Sequence, residues 1–258
     1  MNRFVEGDRF AVLSDIHGNR WALEAVWEDL QLRNVKHVLN LGDSLYGPLD
    51  PAGTADLLMG LEIRSIRGNE DRILIDPEID EKVAAASAMS LSFTRRSLGP
   101  LHFDWLQSLA ATSIFENEVF CCHGSPRSDD EYLLHKVEEG GASPRGEAEI
   151  LQLLEGIPQR LVLCGHDHLP GTAALADGRR VVNPGSVGLP AYLDDTPFPH
   201  AMAAGTPLTR YALVRVADGC WETEFISLAY DWVQAAQVAV RNGRPDWAQW
   251  IRTGRAAV

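Results

Sequence analysis

Short, continuously apolar runs alternate with longer segments of helical periodicity over the first two thirds of the chain. The runs FAVLS, HVLNLGD, EVFCCHGS and RLVLCGHDH predict strands, and EIRSIRGNED predicts a strand followed by a loop. Between them, helices are predicted in RWALEAVWEDLQLR, TADLLMGL, residues 81–98, HFDWLQSL and SPRGEAEILQLLEG, the last opened by Ser143 and Pro144. Strands that are apolar throughout and alternate with helices indicate an α/β sheet covered on both faces.

The final third of the chain has a different pattern. Short strand-like runs flank Asp177-Gly178 and again Asp218-Gly219, which predicts antiparallel hairpins, and the helical stretches YDWVQAAQVAVRNG and PDWAQWIRTG follow. Two segments rich in Pro, Gly and Asp, at about residues 125–141 and 189–207, fit no element and are longer than ordinary connections. We expect them to be lid or rim segments of a single domain that spans residues 1–258.

Composition and charge narrow the functional classes. The chain has 45% hydrophobic and 23% charged residues, as in an ordinary globular protein. Its formal charge of −13 disfavours nonspecific nucleic-acid binding, which needs clustered Lys and Arg, whereas bound divalent cations would still allow an anionic substrate. No apolar stretch suits a signal peptide or a membrane span, and the four cysteines form no CxxC pair and favour free thiols. The expected location is the cytoplasm, with no membrane partner.

Five polar clusters directly follow strand-like runs. They contain, in chain order, Asp15 and His17, then Asp43, Asn69, His123, and finally His166 and His168. Because ligand sites form at the carboxyl ends of strands in open α/β sheets, clusters that are distant in sequence can share one rim. The glycines beside them allow tight turns and a close approach of the backbone to a ligand.

Each cluster alone has an ordinary structural explanation. An Asp after a strand, such as Asp15, is most often a helix N-cap, and Asp43 before SLYGP can initiate a turn. A single His123 is more often a core histidine than a ligand, but the two imidazoles of GHDH have little to contact at a dry strand end. Because all five polar clusters follow the end of a predicted strand, one shared site is favoured over five separate structural roles. The remaining histidines lack this context and are expected to be surface or structural residues: His37, His102, His135 and His200.

Together the clusters supply two Asp, one Asn and four His. Carboxylate and imidazole ligands without thiolate suit Mn²⁺, Fe or Zn²⁺ rather than Ca²⁺ or structural zinc. Seven ligands are too many for one tetrahedral ion and fit two ions that share a carboxylate. Such pairs lie about 3.5–4 Å apart, lower the pKa of a bridging water and clamp a phosphoryl group during in-line displacement. The sequence predicts two divalent cations, with Mn preferred and Fe, Zn or Ni as alternatives.

The order of these motifs resembles that of the calcineurin-like metallophosphoesterase superfamily, where D-x-H, G-D, G-N-H-D/E, H-G and G-H-x-H follow one another. Here they read SDIHGN, LGD, GNED, CHGSP and GHDH, and VVNPGSVG after them resembles the small YfcE-like prokaryotic phosphodiesterase branch. The motifs span residues 15–188, most of the chain. The resemblance implies an α/β fold of the four-layer αββα sandwich type, with two mixed β-sheets packed face to face and helices outside.

The resemblance also implies roles for individual residues. It puts one metal on Asp15, His17 and His168, a second on Asn69, His123 and His166, and Asp43 between both. The family's histidine after Asn is Glu70 here, and a carboxylate is a poor proton donor at neutral pH unless burial or an anion raises its pKa. Asp71 fits a supporting acidic position and would orient Asn69 or a metal-bound water, or else be a turn residue paired with Arg72. The candidate catalytic residues are therefore Asn69, Glu70 and Asp71.

The implied function is hydrolysis of phosphoesters by attack of a metal-bridging hydroxide on phosphorus. Asn19, near the start of the following helix, is a candidate donor to substrate phosphate, with N-capping as the alternative. Phosphodiesters are modestly favoured because they bring less negative charge to an acidic protein, and a phosphomonoesterase acting on phosphoproteins or nucleotides is the alternative. A non-catalytic scaffold is less favoured, because such members of the family usually lose metal ligands.

The expected substrate is a small-molecule or phosphoprotein phosphoester, and the expected state is a monomer or a homodimer. Three tryptophans near the C-terminus leave the oligomeric state open, since they suit either packing of a terminal helix onto the sheet or a dimer face: Trp232, Trp247 and Trp250.

Overall fold

Strands and helices alternate along the first part of the chain, and the last part is mainly strands followed by two helices. The structure, a computed structural model, describes residues 4–5, 7–76, 78 and 85–256. Its strands are β1 (Arg9–Leu13), β2 (Val38–Asn40), β3 (Ile63–Ser65), β4 (Thr112–Phe115), β5 (Val119–Cys122), β6 (His135–Glu138), β7 (Gly141–Pro144), β8 (Leu161–Leu163), β9 (Pro170–Ala174), β10 (Arg180–Pro184), β11 (Ala191–Asp194), β12 (His200–Ala203), β13 (Thr209–Ala217) and β14 (Cys220–Leu228). Its helices are α1 (Arg20–Leu32), α2 (Pro51–Gly60), α3 (Asn69–Ile75), α4 (Ala85–Ser97), α5 (Pro100–Ser108), α6 (Glu147–Leu153), α7 (Trp232–Arg241) and α8 (Pro245–Thr253).

Ten of the strands form two mixed sheets. The first has the order β14-β13-β1-β2-β3, in which β1, β2 and β3 are parallel and β13 and β14 are antiparallel. The second has the order β4-β5-β8-β10-β9, with a parallel centre of β5, β8 and β10 and antiparallel edges. The predicted hairpins β9–β10 and β13–β14 are confirmed. Strand β10 also pairs in parallel with β8, so the final third is not wholly antiparallel.

The two sheets pack face to face, because alternate residues of their strands meet in one apolar layer. Phe10 and Val12 of β1 and Leu39 of β2 meet Leu163 of β8 and Val182 of β10 in this layer. The opposite face of the first sheet packs against α1, α2, α5, α7 and α8, and the opposite face of the second packs against α6. Helices therefore cover both outer faces, and the predicted four-layer αββα sandwich is confirmed.

Two helix boundaries differ from the sequence prediction. Residues after Gly68 were expected in a loop, but α3 begins at Asn69, where the Asp71 carboxylate accepts a hydrogen bond from the Gly68 N–H at 3.2 Å. Ser143 and Pro144 were expected to open a helix, but they belong to β7, which pairs with β6, and α6 begins later. Of the predicted helix over residues 81–98, α4 covers 85–97, and residues 81–84 lie outside the described part.

The two unassigned segments contribute to hairpins that the sequence pattern does not reveal. Strand β6 of the first segment pairs with β7, and β11 pairs with β12 within the second. These strands have four residues each and little apolar alternation, so they carry no clear periodicity of their own.

The two C-terminal helices pack onto the first sheet. Trp247 and Trp250 of α8 are buried in the core with α1 and α7, which favours the packing alternative over a dimer face. Cys121, Cys122 and Cys164 are buried free thiols, as expected, whereas Cys220 is exposed. Across the described residues, every helix is too short or too polar to cross a membrane.

Candidate metal centre

The loops after β1, β2, β5 and β8 interlock at one edge of the sandwich. The backbone N–H of His17 donates to the Asp43 carbonyl at 2.9 Å, which joins the loop after β1 to the loop after β2. The N–H of Gly165 donates to the His123 carbonyl at 2.6 Å, which joins the loops after β5 and β8 in the same way. The His166 N–H donates to Asp15 Oδ2 at 3.2 Å and so connects the two pairs of loops. The start of α3, with Asn69, joins them through the Glu70 N–H, which donates to Asp43 Oδ1 at 2.9 Å. All seven predicted ligand residues therefore lie at one rim.

Five of these residues have left-handed backbone conformations, which side chains other than glycine seldom adopt. Their φ angles lie between +52° and +71°, for Asp15, His17, Asp43, His166 and His168. Each such residue costs on the order of 1 kcal/mol or more, so the surrounding loops must hold it in place. Strained backbone of this kind clusters at functional sites. Here the left-handed backbone of each residue directs its side chain toward the shared rim, just beyond the end of its strand.

The first group of side chains consists of Asp15, His17 and His168. The Nε2 atoms of His17 and His168 lie 3.1 Å apart, and His168 Nε2 lies 3.4 Å from Asp15 Oδ1. All three side chains are buried. Two ligand atoms bound at about 2.1 Å to a tetrahedral ion are about 3.4 Å apart, so these separations match the edges of a coordination shell.

The second group consists of Asp43, His123 and His166, whose ligand atoms lie within 4.8 Å of one another. Asp43 Oδ2 is 3.2 Å from His123 Nε2, and the centroids of the His123 and His166 rings are 5.1 Å apart. His123 Nε2 is also 3.9 Å from Asp15 Oδ1, which connects this group to the first one. Asn69 lines the same cavity as Asp43 and His166.

Hydrogen bonds to backbone carbonyls fix the tautomers of three of the histidines. The Nδ1 atom of His17 contacts the Tyr46 carbonyl at 3.1 Å, and those of His123 and His168 contact the carbonyls of Leu41 and Leu189 at 2.8 and 2.7 Å. A carbonyl oxygen only accepts, so each Nδ1 carries the hydrogen and each neutral ring has its lone pair on Nε2. The Nε2 lone pairs of His17 and His168 then face each other, and that of His123 faces a carboxylate. Only a cation or a proton between these atoms relieves the repulsion.

The electrostatics of the rim also attract positive charge. Burial would lower the pKa of His123, but Asp43 and then Asp15 outweigh it and raise that pKa to about 10. Burial likewise opposes the shift at His17, whose pKa Glu70 and the two aspartates raise to about 9. Burial would raise the pKa of Asp15, and the surrounding imidazoles hold it well below its ordinary value. Because metal ions and protons compete for the same ligand atoms, a field that holds protons here favours a metal ion.

Three buried ligand atoms complete the case that a cation fits. Among the described residues, Asp15 Oδ1, Asn69 Oδ1 and His123 Nε2 have no hydrogen-bond partner. Buried polar atoms are nearly always satisfied. Two of these atoms, Asp15 Oδ1 and His123 Nε2, lie 3.9 Å apart, and Asn69 lines the adjoining cavity. The donor set of imidazole, carboxylate and amide oxygen suits a first-row divalent ion.

Comparisons with known proteins agree with this geometry. A family model described as "Calcineurin-like phosphoesterase superfamily domain" matches residues 9–203. The chain belongs to this superfamily. The protein MJ0912 of Methanocaldococcus jannaschii is 25% identical over 256 residues, which cover 92% of this chain and 94% of MJ0912.

Solved structures show the same fold. A metallophosphoesterase from Sphaerobacter thermophilus is 23% identical, with a TM-score of 0.74, and the match covers 96% of this chain and 99% of that chain. The hypothetical protein PH1004 from Pyrococcus horikoshii OT3 is 19% identical, with a TM-score of 0.76 and the same coverage. These structures confirm the fold, and the family model confirms the superfamily, that the order of the motifs implied.

In this phosphoesterase-like chain the rim opens into a cavity of about 170 Å³. His17, Asp43, Asn69, His166 and His168 form its polar floor. Its walls combine aromatic and apolar residues with charged ones: Leu189, Tyr192, Leu193, Trp247 and Trp250 on one hand, and Glu70, Asp194 and Arg244 on the other. A groove of about 750 Å³ elsewhere on the molecule contains none of the seven predicted ligands, so size alone does not locate the site.

The VVNPGSVG segment, which comprises most of β10 and the loop after it, supports the ligand loops. Asn183 donates from Nδ2 to the Gly165 carbonyl at 2.8 Å and to Asp167 Oδ1 at 2.7 Å, and Ser186 Oγ donates to the Asp15 carbonyl at 2.8 Å. His135, expected to be surface or structural, contacts the other oxygen of Asp167 through Nδ1 at 2.8 Å. The segment therefore acts on the loops of both metal groups without contributing a ligand.

Two tyrosines, one from each of the segments 125–141 and 189–207, connect these segments to the loop after β8. The Tyr192 hydroxyl donates to the His166 carbonyl at 3.0 Å, and its ring lies 4.5 Å from that of His168 between centroids. The Tyr132 hydroxyl contacts both Tyr192 and Nε2 of His200, which is buried. His200 is therefore structural, in agreement with one of the two alternatives. These contacts were not predictable from the sequence, because the strand that carries Tyr192 has no recognisable periodicity.

Asn19 occupies the position that the N-capping alternative requires. Its Oδ1 accepts a hydrogen bond from the Ala22 N–H at 3.2 Å, and its Nδ2 donates to the Gly188 carbonyl at 2.8 Å and the Tyr230 hydroxyl at 3.0 Å. The side chain is fully buried and all of these groups are engaged within the protein. The structure favours N-capping of α1 over the predicted contact with substrate phosphate.

Asp71 braces two ligand loops rather than facing the cavity. Its Oδ1 accepts hydrogen bonds from the N–H groups of Ser44 at 3.0 Å and Leu45 at 3.4 Å, and its Oδ2 accepts one from Gly68. Burial and then Asp43 raise the pKa of Asp71 to about 6. Arg72 pairs with Asp129 and Asp130 instead, so the predicted pairing of Asp71 with Arg72 is not observed. Asp71 is placed to position the loops that carry Asp43 and Asn69.

Replacement of Asp71 by Asn is expected to destabilise the protein by about 1–3 kcal/mol, the cost of leaving a buried donor unsatisfied. If Oδ1 stays on the Ser44 and Leu45 amides, the new NH₂ group faces the Gly68 N–H, donor against donor. Chemical denaturation at pH 7.5 would measure the change, with Asp56→Asn, an exposed position, as the control. Equal stability of both variants and the wild type would contradict the bracing role.

Proposed function

We propose that this protein is a phosphoesterase that depends on two divalent cations. One cation would be held by Asp15, His17 and His168, the other by Asn69, His123 and His166, with Asp43 shared between them. The observation that carries the proposal is the set of inward-facing Nε2 lone pairs: those of His17 and His168 lie 3.1 Å apart, and that of His123 lies 3.2 Å from Asp43 Oδ2. The donor set supports Mn²⁺ as the preferred ion, with Fe, Zn or Ni as alternatives.

The cations, when bound, supply an acidified water as nucleophile and neutralise charge on the phosphoryl oxygens. The chain's own residues hold the ligand atoms in place: carbonyls of Tyr46, Leu41 and Leu189 orient three imidazoles through Nδ1. Such hydrogen bonds to the outer ring nitrogen fix both the tautomer and the ring orientation. The site is therefore organised before any ligand binds, which reduces the cost of binding.

The cavity walls support a small-molecule substrate. Trp247, Trp250 and Tyr192 offer flat apolar surface beside the polar floor, where the organic part of an ester would lie. A cavity of about 170 Å³ suits a compact ester better than a folded phosphoprotein surface. Glu70, Asp194 and Arg244 also line it, and because the two carboxylates outnumber the guanidinium group, the lining supports phosphodiesters, which carry one negative charge fewer than monoesters.

The proposed activity predicts that hydrolysis of bis-p-nitrophenyl phosphate is faster than that of p-nitrophenyl phosphate, and that it requires added metal. Protein freed of metal with EDTA would be assayed by release of p-nitrophenolate, with and without Mn²⁺, and metal content would be measured by elemental analysis. We expect at least about a 100-fold loss of rate without metal, since the cations provide the main electrostatic stabilisation.

Two results would change this proposal. Faster turnover of the monoester would favour the phosphomonoesterase alternative while leaving the metal centre in place. Two bound metal ions without turnover of either ester would contradict the enzymatic function and favour the scaffold alternative.

A further inference from the structure

Glu70 stands where the superfamily pattern has a histidine, and its surroundings assign it a different task from proton donation. It is the second residue of α3, directly after Asn69, and its backbone N–H donates to Asp43 Oδ1 at 2.9 Å. The Glu70 carboxylate lies close to both metal groups, because its ligand atom and those of His17 and Asp43 are within 4.8 Å of one another. One carboxylate oxygen, Oε2, is buried and lies 3.2 Å from Nδ1 of His17.

The approach of Glu70 to His17 is electrostatic more than directional. The Nδ1 hydrogen of His17 points to the Tyr46 carbonyl, and Oε2 of Glu70 lies beside that hydrogen without forming a well-aligned hydrogen bond of its own. A carboxylate at 3.2 Å from an N–H still stabilises the tautomer with hydrogen on Nδ1. It also makes the opposite nitrogen, Nε2, a better donor to a cation, as carboxylates behind metal-bound imidazoles do.

The charge balance of the rim points the same way. Asp15 and Asp43 supply two negative charges, and the family's neutral histidine at this position would add none. Burial raises the pKa of Glu70 to about 7 in the metal-free protein although His17 lowers it, and two bound cations would favour its ionised form. The ionised Glu70 adds a third negative charge, so two divalent ions with three carboxylates leave a net charge of about +1, which a single hydroxide or a diester phosphate neutralises. Replacement of Glu70 by a neutral residue leaves the pair of ions less compensated and weakens their binding.

We infer that Glu70 is a positioning residue that strengthens metal binding at the site formed by Asp15, His17 and His168. This inference rests on the proposed function, because it presupposes that these side chains hold a cation. It replaces the expectation that Glu70 acts as a catalytic proton donor. The leaving group then departs without a proton from Glu70, so esters with acidic alcohols are the better substrates.

The test is a titration of the metal-free full-length protein with Co²⁺, followed by visible absorption of the bound ion. Glu70→Gln removes the charge while keeping size, and Glu70→Ala removes the side chain. Glu24→Gln is the control, because it changes the net charge equally at an exposed position on α1. We expect Glu70→Gln to weaken one of the two binding steps about 10- to 100-fold, as loss of outer-shell partners does, Glu70→Ala at least as much, and Glu24→Gln less than about twofold.

A second measurement separates positioning from proton transfer. At saturating metal, kcat of Glu70→Gln should return to within about threefold of the wild type, and the Co²⁺ absorption bands should keep their shape. Unchanged metal affinity in Glu70→Gln and Glu70→Ala, or a kcat that stays low at saturating metal, would overturn the inference. Altered band shapes would also overturn it, because they would make Glu70 a direct ligand. A wild-type protein that binds no Co²⁺ would instead overturn the proposed metal centre itself.

Discussion

Asp43→Asn is expected to abolish turnover while leaving the fold intact. The Asp43 carboxylate is the one proposed to bridge both cations, and its two oxygens have different partners in the protein. Oδ1 accepts the Glu70 N–H at 2.9 Å, and Oδ2 lies 3.2 Å from Nε2 of His123. In the variant, an amide oxygen can keep the first contact, and the new NH₂ group donates to the His123 lone pair. The substitution therefore leaves both contacts of this side chain paired in the metal-free protein and removes the carboxylate that is proposed to bridge the two cations.

The expected loss in kcat is at least about 10³-fold, comparable to the loss of a main electrostatic stabiliser of the transition state. The melting temperature of the metal-free variant should fall, because Asp43, against the effect of burial, raises the pKa of His123 to about 10 and the variant loses this charged pair, but the protein should stay folded because an amide oxygen can still accept the Glu70 N–H. Activity, metal content and thermal denaturation would be measured in parallel, with Asp56→Asn as the exposed control. Retained turnover, or two metal ions still bound, would show that Asp43 does not bridge.

The position of the site was predictable from sequence because strand direction and strand ends carry most of the information. Asp15, Asp43, His123 and His166 each follow a short apolar strand. Once those strands are parallel and adjacent, or face each other across the two sheets, their carboxyl ends must meet. That conclusion needed only the order of the apolar runs and the polar residue that follows each of them.

The hydrogen-bond partners of the ligands were not predictable in the same way. The carbonyls of Tyr46, Leu41 and Leu189 orient the imidazoles, and any residue type offers a carbonyl. Left-handed conformations at these positions were also not predictable, because aspartate and histidine adopt positive φ more often than most residues but still only in a minority of cases. These features depend on how loops from different strands fit together, which is a property of the folded state alone.

The contacts of the cavity walls are a third feature that could not be predicted from the sequence. Trp247 was recognised as an aromatic residue in a terminal helix, with packing and dimerisation both open. In the structure its ring lies edge-on to His17, with centroids 5.7 Å apart, and so it covers one side of the metal group. A contact between residues more than two hundred positions apart follows from tertiary packing, which the helical period of α8 does not encode.

Gly188→Ala is expected to damage both the fold and the metal centre, through a backbone clash rather than a lost ligand. A Cβ atom at Gly188 would lie 1.7 Å from the carbonyl oxygen of Ile16 and 2.6 Å from its carbonyl carbon. Ile16 stands between Asp15 and His17, and the Gly188 N–H donates to the Asp15 carbonyl at 2.9 Å. Relief of the clash must therefore move the loop that carries two ligands of the first group.

The expected destabilisation is about 3 kcal/mol or more, at the upper end for overpacking, because the obstacle is backbone that cannot change rotamer. The matched control is Gly60→Ala at the end of α2, where a Cβ meets nothing within 4 Å, and it should be neutral or stabilising by about 0.4–1 kcal/mol. Chemical denaturation and Co²⁺ titration of both variants would measure the two effects. If Gly188→Ala kept wild-type stability and metal affinity, the loop that carries Asp15 and His17 could move without loss of stability. The close packing of Gly188 against this loop would then not be what holds the two ligands in place. We expect instead that stability and affinity fall together, since the same backbone contact holds the fold and the ligands.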